Sequence, residues 1–306
     1  YEFQIKDSAG KVVYSTKAKK NIPMNFNWNG HDNDNVICKD GTYSASLTIL
    51  AANGSEASAT SSNFVLDTVK PNLVAQIPWD SFSPDGDSAQ DNVPISITEC
   101  TNEKLWTCDV RNSKDISVKK YNWNGTKSEI VWDGTDESGN LAKDGNYNII
   151  LFTTDDAGNS FTTEIKGISL DTRETKVYLT AEYEGISPNG DKVLESQIFN
   201  VSTTVAEGIA SWQFDVRKED GTSVYKLTEK DIKNLPTQIT WNGADSKGNA
   251  CEGTFTGTLE INYKKGNRVS SVSSAFVCTA LPPKLDVKTA PEDFSPDNDV
   301  TDDDLV

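Results

Sequence analysis

The chain has 306 residues, 29 Lys+Arg against 46 Asp+Glu, a formal net charge of −17 and a hydrophobic fraction of 36%. That length suits two or three ordinary domains, and the acidic balance excludes nucleic acid and anionic membranes, which need basic surface. Aromatics recur throughout and no run of 18 apolar residues occurs, so the chain reads as folded and carries no membrane-spanning helix.

In chain order, the first landmark is Tyr1-Glu2-Phe3-Gln4-Ile5. Trp28-Asn29-Gly30 follows, then Asp40-Gly41-Thr42-Tyr43, then an alternating run to Leu66-Asp67-Thr68. Val69-Lys70-Pro71 is a joint, where proline fixes φ and removes a ladder donor. Beyond it lies the loop Phe82-Ser83-Pro84-Asp85-Gly86-Asp87. Val93 to Thr98 alternates apolar and polar as a half-buried strand, with Pro94 marking an edge or a strand start. Trp106-Thr107-Cys108-Asp109-Val110, Trp132-Asp133-Gly134 and Asp144-Gly145-Asn146-Tyr147 come next. Asn148 to Thr153 is a short β-branched and aromatic strand, and Leu170-Asp171-Thr172 leads to a second joint at Thr172-Arg173-Glu174.

The series then returns. Ile186-Ser187-Pro188-Asn189-Gly190-Asp191, Trp212-Gln213-Phe214-Asp215-Val216, Trp241-Asn242-Gly243 and Glu252-Gly253-Thr254-Phe255 appear in the same order. Lys226 to Leu235 is ambiguous between helix and strand, whereas Thr258 to Tyr263 is a strand. After Cys278-Thr279 a third joint falls at Leu281-Pro282-Pro283, and Phe294-Ser295-Pro296-Asp297-Asn298-Asp299 opens another copy. The Trp-x-Gly landmark recurs at spacings of 104 and 109, and the Ser-Pro loop at 104 and 108. One period shared by independent landmarks identifies tandem repeats. The expected boundaries are 1–70 for the later part of one repeat, 71–173 and 174–281 for two complete repeats, and 282–306 for the start of a fourth. The chain is expected to be a window on a longer protein. About seven short strands per repeat, separated by Asp-Gly, Asn-Gly and Ser-Gly turns, predict an all-β fold. It consists of tandem immunoglobulin-like or fibronectin-III-like sandwiches in an extended array. Trp28, Trp132 and Trp241, with Trp106, Trp212, Tyr43, Tyr147 and Phe255, are the expected core anchors.

Two patterns resemble known modules. Trp132-Asp133-Gly134-Thr135-Asp136-Glu137-Ser138-Gly139-Asn140 followed by Lys143-Asp144-Gly145-Asn146-Tyr147 resembles the Ig-like domain of flagellar hook-capping proteins. Asp7 to Val13 and Lys218 to Val224 look like its hairpin. Phe82 to Asp91 is similar to the opening of the gliding-motility-associated C-terminal domain. The resemblance implies the sandwich fold and an extracytoplasmic bacterial setting, in the periplasm, at the envelope or at the cell surface. A serial array argues against hook capping itself, because hook-capping proteins carry one such domain.

The Ser-Pro-Asp loop is the candidate metal site. Asp85, Asp87 and Asp91 are matched by Asn189, Asp191 and Glu195, and by Asp297, Asp299 and Asp303. Oxygen ligands spaced about a glycine turn suit Ca²⁺; the same residues also suit a self-capping Asx-turn. The acidic turns at His31 to Asn35, Thr135 to Gly139 and Ala244 to Gly248 read as hairpin turns without metal. Cys100 and Cys108 flank a short turn and are a candidate disulfide, Cys251 and Cys278 a second, and Cys38 is left over; buried free thiols are the alternative. With His31 the sole histidine and no phosphate-binding glycine loop, the sequence reads as non-enzymatic. The expected role is a structural spacer of an envelope or surface protein whose first partners are its neighbouring repeats. An adhesin binding glycan or protein through sandwich-end loops, and lateral assembly into a filament through free strand edges, are the alternatives. Trp79, Trp123 and Tyr183 discriminate between them: an exposed aromatic patch favours glycan, burial at domain joints favours the spacer.

Overall fold

The computed structural model describes residues 1–282 and 284–288, and those residues contain strands and turns but no helix. The chain divides into two compact units, Tyr1–Thr172 and the residues from Arg173 on.

The first unit begins with β1 (Glu2–Asp7), β2 (Val12–Lys17), β3 (Gly41–Leu50), β4 (Glu56–Thr60) and β5 (Phe64–Leu66), which make one sheet in the order β2-β1-β3-β4 with β5 also on β3. Phe3, Ile5 and Tyr43 are buried on one face, with Trp28, Phe64 and Leu66 packed against them only partly buried. Trp28 thus falls short of the enclosure expected of a core anchor. Among the described residues no second sheet lies across from it, so its ring has cover on one side.

The same unit continues with β6 (Leu73–Gln76), β7 (Ser81–Phe82), β8 (Val93–Cys100), β9 (Trp106–Asn112), β10 (Ser117–Trp123), β11 (Glu129–Trp132), β12 (Gly145–Thr154) and β13 (Ser160–Leu170). Here two sheets form a complete sandwich: β10-β9-β12-β13-β7 on one side and β11-β8-β6 on the other. Strict alternation puts Val93, Ile95 and Ile97 of β8 against Trp106, Cys108 and Val110 of β9 and Ile149 and Leu151 of β12, in one core cluster. Pro94 stands second in β8, opposite Val131, in a strand paired on both sides. It therefore marks a strand start and not an edge.

The second unit repeats the plan with β14 (Val177–Ala181), β15 (Gly185–Ile186), β16 (Gln197–Thr203), β17 (Ile209–Lys218), β18 (Ser223–Thr228), β19 (Gln238–Trp241), β20 (Gly253–Tyr263), β21 (Arg268–Val272) and β22 (Phe276–Cys278). One sheet runs β15-β22-β20-β17-β18 with β21 also on β20, and the other runs β14-β16-β19. Both complete repeats are immunoglobulin-like, fibronectin-III-like β-sandwiches. The ambiguous segment Lys226 to Leu235 finishes β18 and then turns, without a helix.

The recurring tryptophan closes each core in one way. Trp132 and Trp241 are 0% and 1% exposed. Each packs on the aromatic of the following Gly-x-Tyr or Gly-x-Phe motif: Trp28–Tyr43 at 5.1 Å, Trp132–Tyr147 at 4.9 Å, Trp241–Phe255 at 5.2 Å. Each indole N–H donates to a carbonyl three residues on, at His31, Thr135 and Ala244. At Trp132 and Trp241 the ring is enclosed, and in all three copies its one polar atom is satisfied locally, as burial of an indole requires. Trp106 and Trp212, at 0% and 2%, fill the far end of each core.

The structure corrects the disulfide expectation: all five cysteines are free thiols. Cys100 ends β8 opposite Leu73 in the three-stranded sheet, while Cys108 lies on β9 between Tyr121 and Leu151 in the other sheet. The turn between them crosses from one layer to the other, so the two residues are not hairpin partners. Cys251 and Cys278 are both buried, and the Cys278 thiol donates to the Cys251 carbonyl at 3.2 Å. Burial, helped by the neighbouring Asp109, pushes the Cys108 thiol up to about 12. Burial, then the nearby Cys251, pushes Cys278 to about 11. Such thiols stay protonated at neutral pH and act as small core hydrophobes.

Candidate functional site

The Ser-Pro-Asp loop lies between β7, which adds to the five-stranded sheet, and β8, the centre of the three-stranded one. It carries the chain from one layer of the sandwich to the other. Its backbone alternates into the left-handed region at Gly86 (φ 82°), Ser88 (69°) and Gln90 (56°), and the loop of the second unit does the same at Gly190 (89°), Lys192 (72°) and Leu194 (51°). A leucine with positive φ is costly, so the surrounding bonds must hold it. They do: Ser83 N–H donates to the Gln90 carbonyl and Ser187 N–H to the Leu194 carbonyl, at 3.1 and 2.8 Å.

The loop gathers Asp85, Asp87 and Asp91, with one carboxylate oxygen from each within 4.8 Å of the others. Gly86 N–H and Ser88 N–H donate to the two oxygens of Asp91 at 2.8 and 2.9 Å. Ala89 N–H donates to Asp87 and the Ser83 hydroxyl to Asp85. In the second unit Lys192 N–H donates to Glu195, Val193 N–H to Asp191, and Asp191 N–H to Asn189. Asn189, Asp191 and Glu195 thus adopt a similar arrangement with one carboxylate fewer. Asp297, Asp299 and Asp303 lie outside the described residues. The donor set is all oxygen, which fits a hard cation such as Ca²⁺ and does not fit zinc.

The two landmark motifs meet here. A Cβ at Gly134 would stand 3.1 Å from the Pro84 ring, and one at Gly243 would stand 2.7 Å from the Pro188 ring. Both glycines have positive φ, 79° and 76°. The proline of the loop therefore seats on the glycine of the Trp-x-Gly turn, and glycine is required there on two counts.

Other acids serve the fold. Asp32, Asp136 and Asp245 each accept from backbone N–H groups two and four residues on, so the three acidic turns are one recurring Asx-turn. Two acids carry no motif signature beyond their place in Asp-Val-Arg. Asp109 is 0% and Asp215 3% exposed. Asp109 accepts from the Ser117 hydroxyl at 2.6 Å and Arg111 Nε at 2.8 Å. Asp215 accepts from the Ser223 hydroxyl at 2.7 Å and Gln213 Nε2 at 2.6 Å. The readable signal was a serine eight residues after the aspartate in both copies. The serine bonds tie β9 to β10 and β17 to β18.

Bonds also recur at the ends of the repeats. Thr68 and Thr172 donate N–H and hydroxyl to Asp40 and Asp144, in each case 28 residues back, and Ala280 N–H donates to Glu252 in the matching place. On the incoming side Asn72 N–H donates to the Thr101 hydroxyl and Lys176 N–H to the Thr204 hydroxyl. Asn159 Nδ2 donates to the Asp67 carbonyl at 3.1 Å, and buried Lys265 donates to the Arg173 carbonyl, both across 92 residues. Trp79, Trp123 and Tyr183 are half-buried and pack on the cores of their own repeats, forming no exposed patch. No described helix is long and apolar enough to cross a membrane.

No protein-family model matches the chain. No curated protein sequence matches it either. Among solved structures it is similar to the tetra-tandem repeat in the extending region of a large adhesion protein, at 17% identity and a TM-score of 0.33, covering 91% of this chain and 66% of that one. It is also similar to the fibronectin(III)-like modules of Clostridium thermocellum CbhA, at 16% identity and a TM-score of 0.36, covering 71% and 100%. A third is the Ca²⁺-stabilized adhesin of an Antarctic bacterium that binds ice, at 15% identity and a TM-score of 0.30, covering 91% and 65%.

Proposed function

We propose that this chain is a spacer segment of an extracytoplasmic bacterial protein, non-catalytic, with repeats that hold other parts of the molecule apart. The observation that carries it is the treatment of the joints. A flexible tether leaves its linker free; here the linker ends are fixed by recurring side chains, Asp40 and Thr101 about one joint, with Asn159 reaching back to the Asp67 carbonyl. Trp79, Trp123 and Tyr183 pack on the cores of their own repeats, which weighs against glycan capture by surface aromatics.

Restricted joint motion is measurable. By ¹⁵N relaxation, residues 1–68 and 71–172 should tumble with one correlation time. In Asp40→Ala/Asn159→Ala they should tumble separately, while each substitution shifts repeat stability by only about 1 kcal/mol. Independent tumbling in the unaltered chain would sink the spacer reading.

In this role calcium stiffens the Ser-Pro-Asp loop. With about 1 mM Ca²⁺, and affinity in the ~10⁻⁴–10⁻³ M range of extracellular modules, the repeat holding Asp85, Asp87 and Asp91 should gain about 0.4–1.4 kcal/mol over a chelated sample. Asp87→Asn should abolish the gain. The repeat holding Asn189 should gain less, having one carboxylate fewer. Superimposable melting curves retire calcium.

A further inference from the structure

The two complete repeats differ most informatively at one end of their cores. In the first of them Trp123 stands opposite Trp106 in the β10–β9 ladder, and the rings stack at 6.0 Å and 12°. The Trp106 indole N–H donates to the Thr101 carbonyl at 3.0 Å. In the second unit the same ladder ends with Gln213 paired to Thr228, and the next residue, Glu229, begins the turn that follows β18. The stacking tryptophan is gone, and the connection to β19 is longer, running from Glu229 through Pro236. A cleft of about 720 Å³ opens there over Trp212, lined by Ser202, Ser211, Glu229, Lys233 and Asn234 among others. Trp212 is 2% exposed, and its indole N–H has no hydrogen-bond partner, nor has that of Trp123 in the other repeat.

An unpaired buried donor is rare in a folded protein and calls for an acceptor. The cleft presents an indole together with hydroxyls, a carboxamide, a carboxylate and an ammonium. That mixture hydrogen-bonds a polyhydroxylated ligand in several directions. We propose that the cleft over Trp212 binds a single sugar unit, with a ring or hydroxyl oxygen accepting from the indole N–H and Asn234 and Glu229 bonding its hydroxyls. The site is distinct from the spacer role: it lies within one repeat and its place is taken by Trp123 in the other, so the described repeats carry it at one place only. Because the indole nitrogen is enclosed, ligand entry requires the segment from Glu229 to Pro236 to shift outward.

The probes are the methyl glycosides of glucose, mannose, galactose and N-acetylglucosamine, titrated into the ¹⁵N-labelled whole chain. Indole N–H resonances are observed, and the Trp212 signal is assigned by its loss in Trp212→Phe. At least one glycoside should move that signal saturably. Glu229→Trp, which restores the tryptophan of the other repeat, should weaken the response about tenfold or more, and Asn234→Ala about threefold or more. Both variants should keep the unaltered chain's melting temperature or exceed it. A Trp212 signal unmoved by all four glycosides at tens of millimolar overturns the proposal. So does a shift that survives Glu229→Trp in folded protein.

Discussion

Trp132→Ala should strongly destabilise the repeat between Leu73 and Leu170 while leaving the unit from Arg173 on intact. The ring is fully enclosed, lies 5.2 Å from Phe82 and 4.9 Å from Tyr147, and donates to the Thr135 carbonyl. Truncating such a ring costs about 3–5 kcal/mol, a large share of the ~5–15 kcal/mol that holds a domain together. In calorimetry the corresponding transition should fall by about 15 °C or more, with the other unit's transition unchanged. Trp132→Phe should cost less, because it keeps most of the buried area and loses the indole donor. A shift below about 4 °C, or an equal loss in both units, would contradict the assignment of this tryptophan as the anchor of a single repeat.

Gly257→Ile should be the most damaging substitution in the second unit, although it installs the residue that the other repeat carries at the equivalent place. Gly257 faces Val216 in the ladder as Ile149 faces Val110. Even a Cβ at Gly257 would lie 2.5 Å from Phe199 and 3.1 Å from Phe214. Those rings are 0% exposed and pack edge to face at 4.8 Å. In the other repeat the same three places are held by Ile95, Cys108 and Ile149. Each core therefore fills its volume differently, with small, large and large in one against three mid-sized residues in the other. An isoleucine forced among the rings should cost about 3 kcal/mol or more, the upper end for overpacking. The triple change Gly257→Ile/Phe199→Ile/Phe214→Cys should recover most of that loss, because total volume is then restored. If the triple variant is no more stable than Gly257→Ile, the compensation argument fails.

These substitutions separate what adjacent residues encode from what distant ones do. The repeat period, the strands and the Asp-Gly turns were legible, since alternation of period two and a demand for positive φ are written into neighbouring residues. So was the Trp-x-Gly landmark, whose indole finds its acceptor three residues away. The loop geometry was half legible. Spacing brought Asp85, Asp87 and Asp91 together on paper, but it did not show that both oxygens of Asp91 are taken by Gly86 and Ser88.

Spacing misled for Cys100 and Cys108, because a turn between two strands can close a hairpin or cross to the other sheet. The sequence was silent on the buried Asp109 and Asp215, and on the exchange of Ile95, Cys108 and Ile149 for Phe199, Phe214 and Gly257. It was silent too on the cleft left where Glu229 replaces Trp123. By itself the sequence determined which strands form and how often the unit returns. Only the tertiary structure decided which side chains share a volume, because residues dozens of positions apart meet across two sheets, and close packing is a property of their summed shapes and not of any one segment.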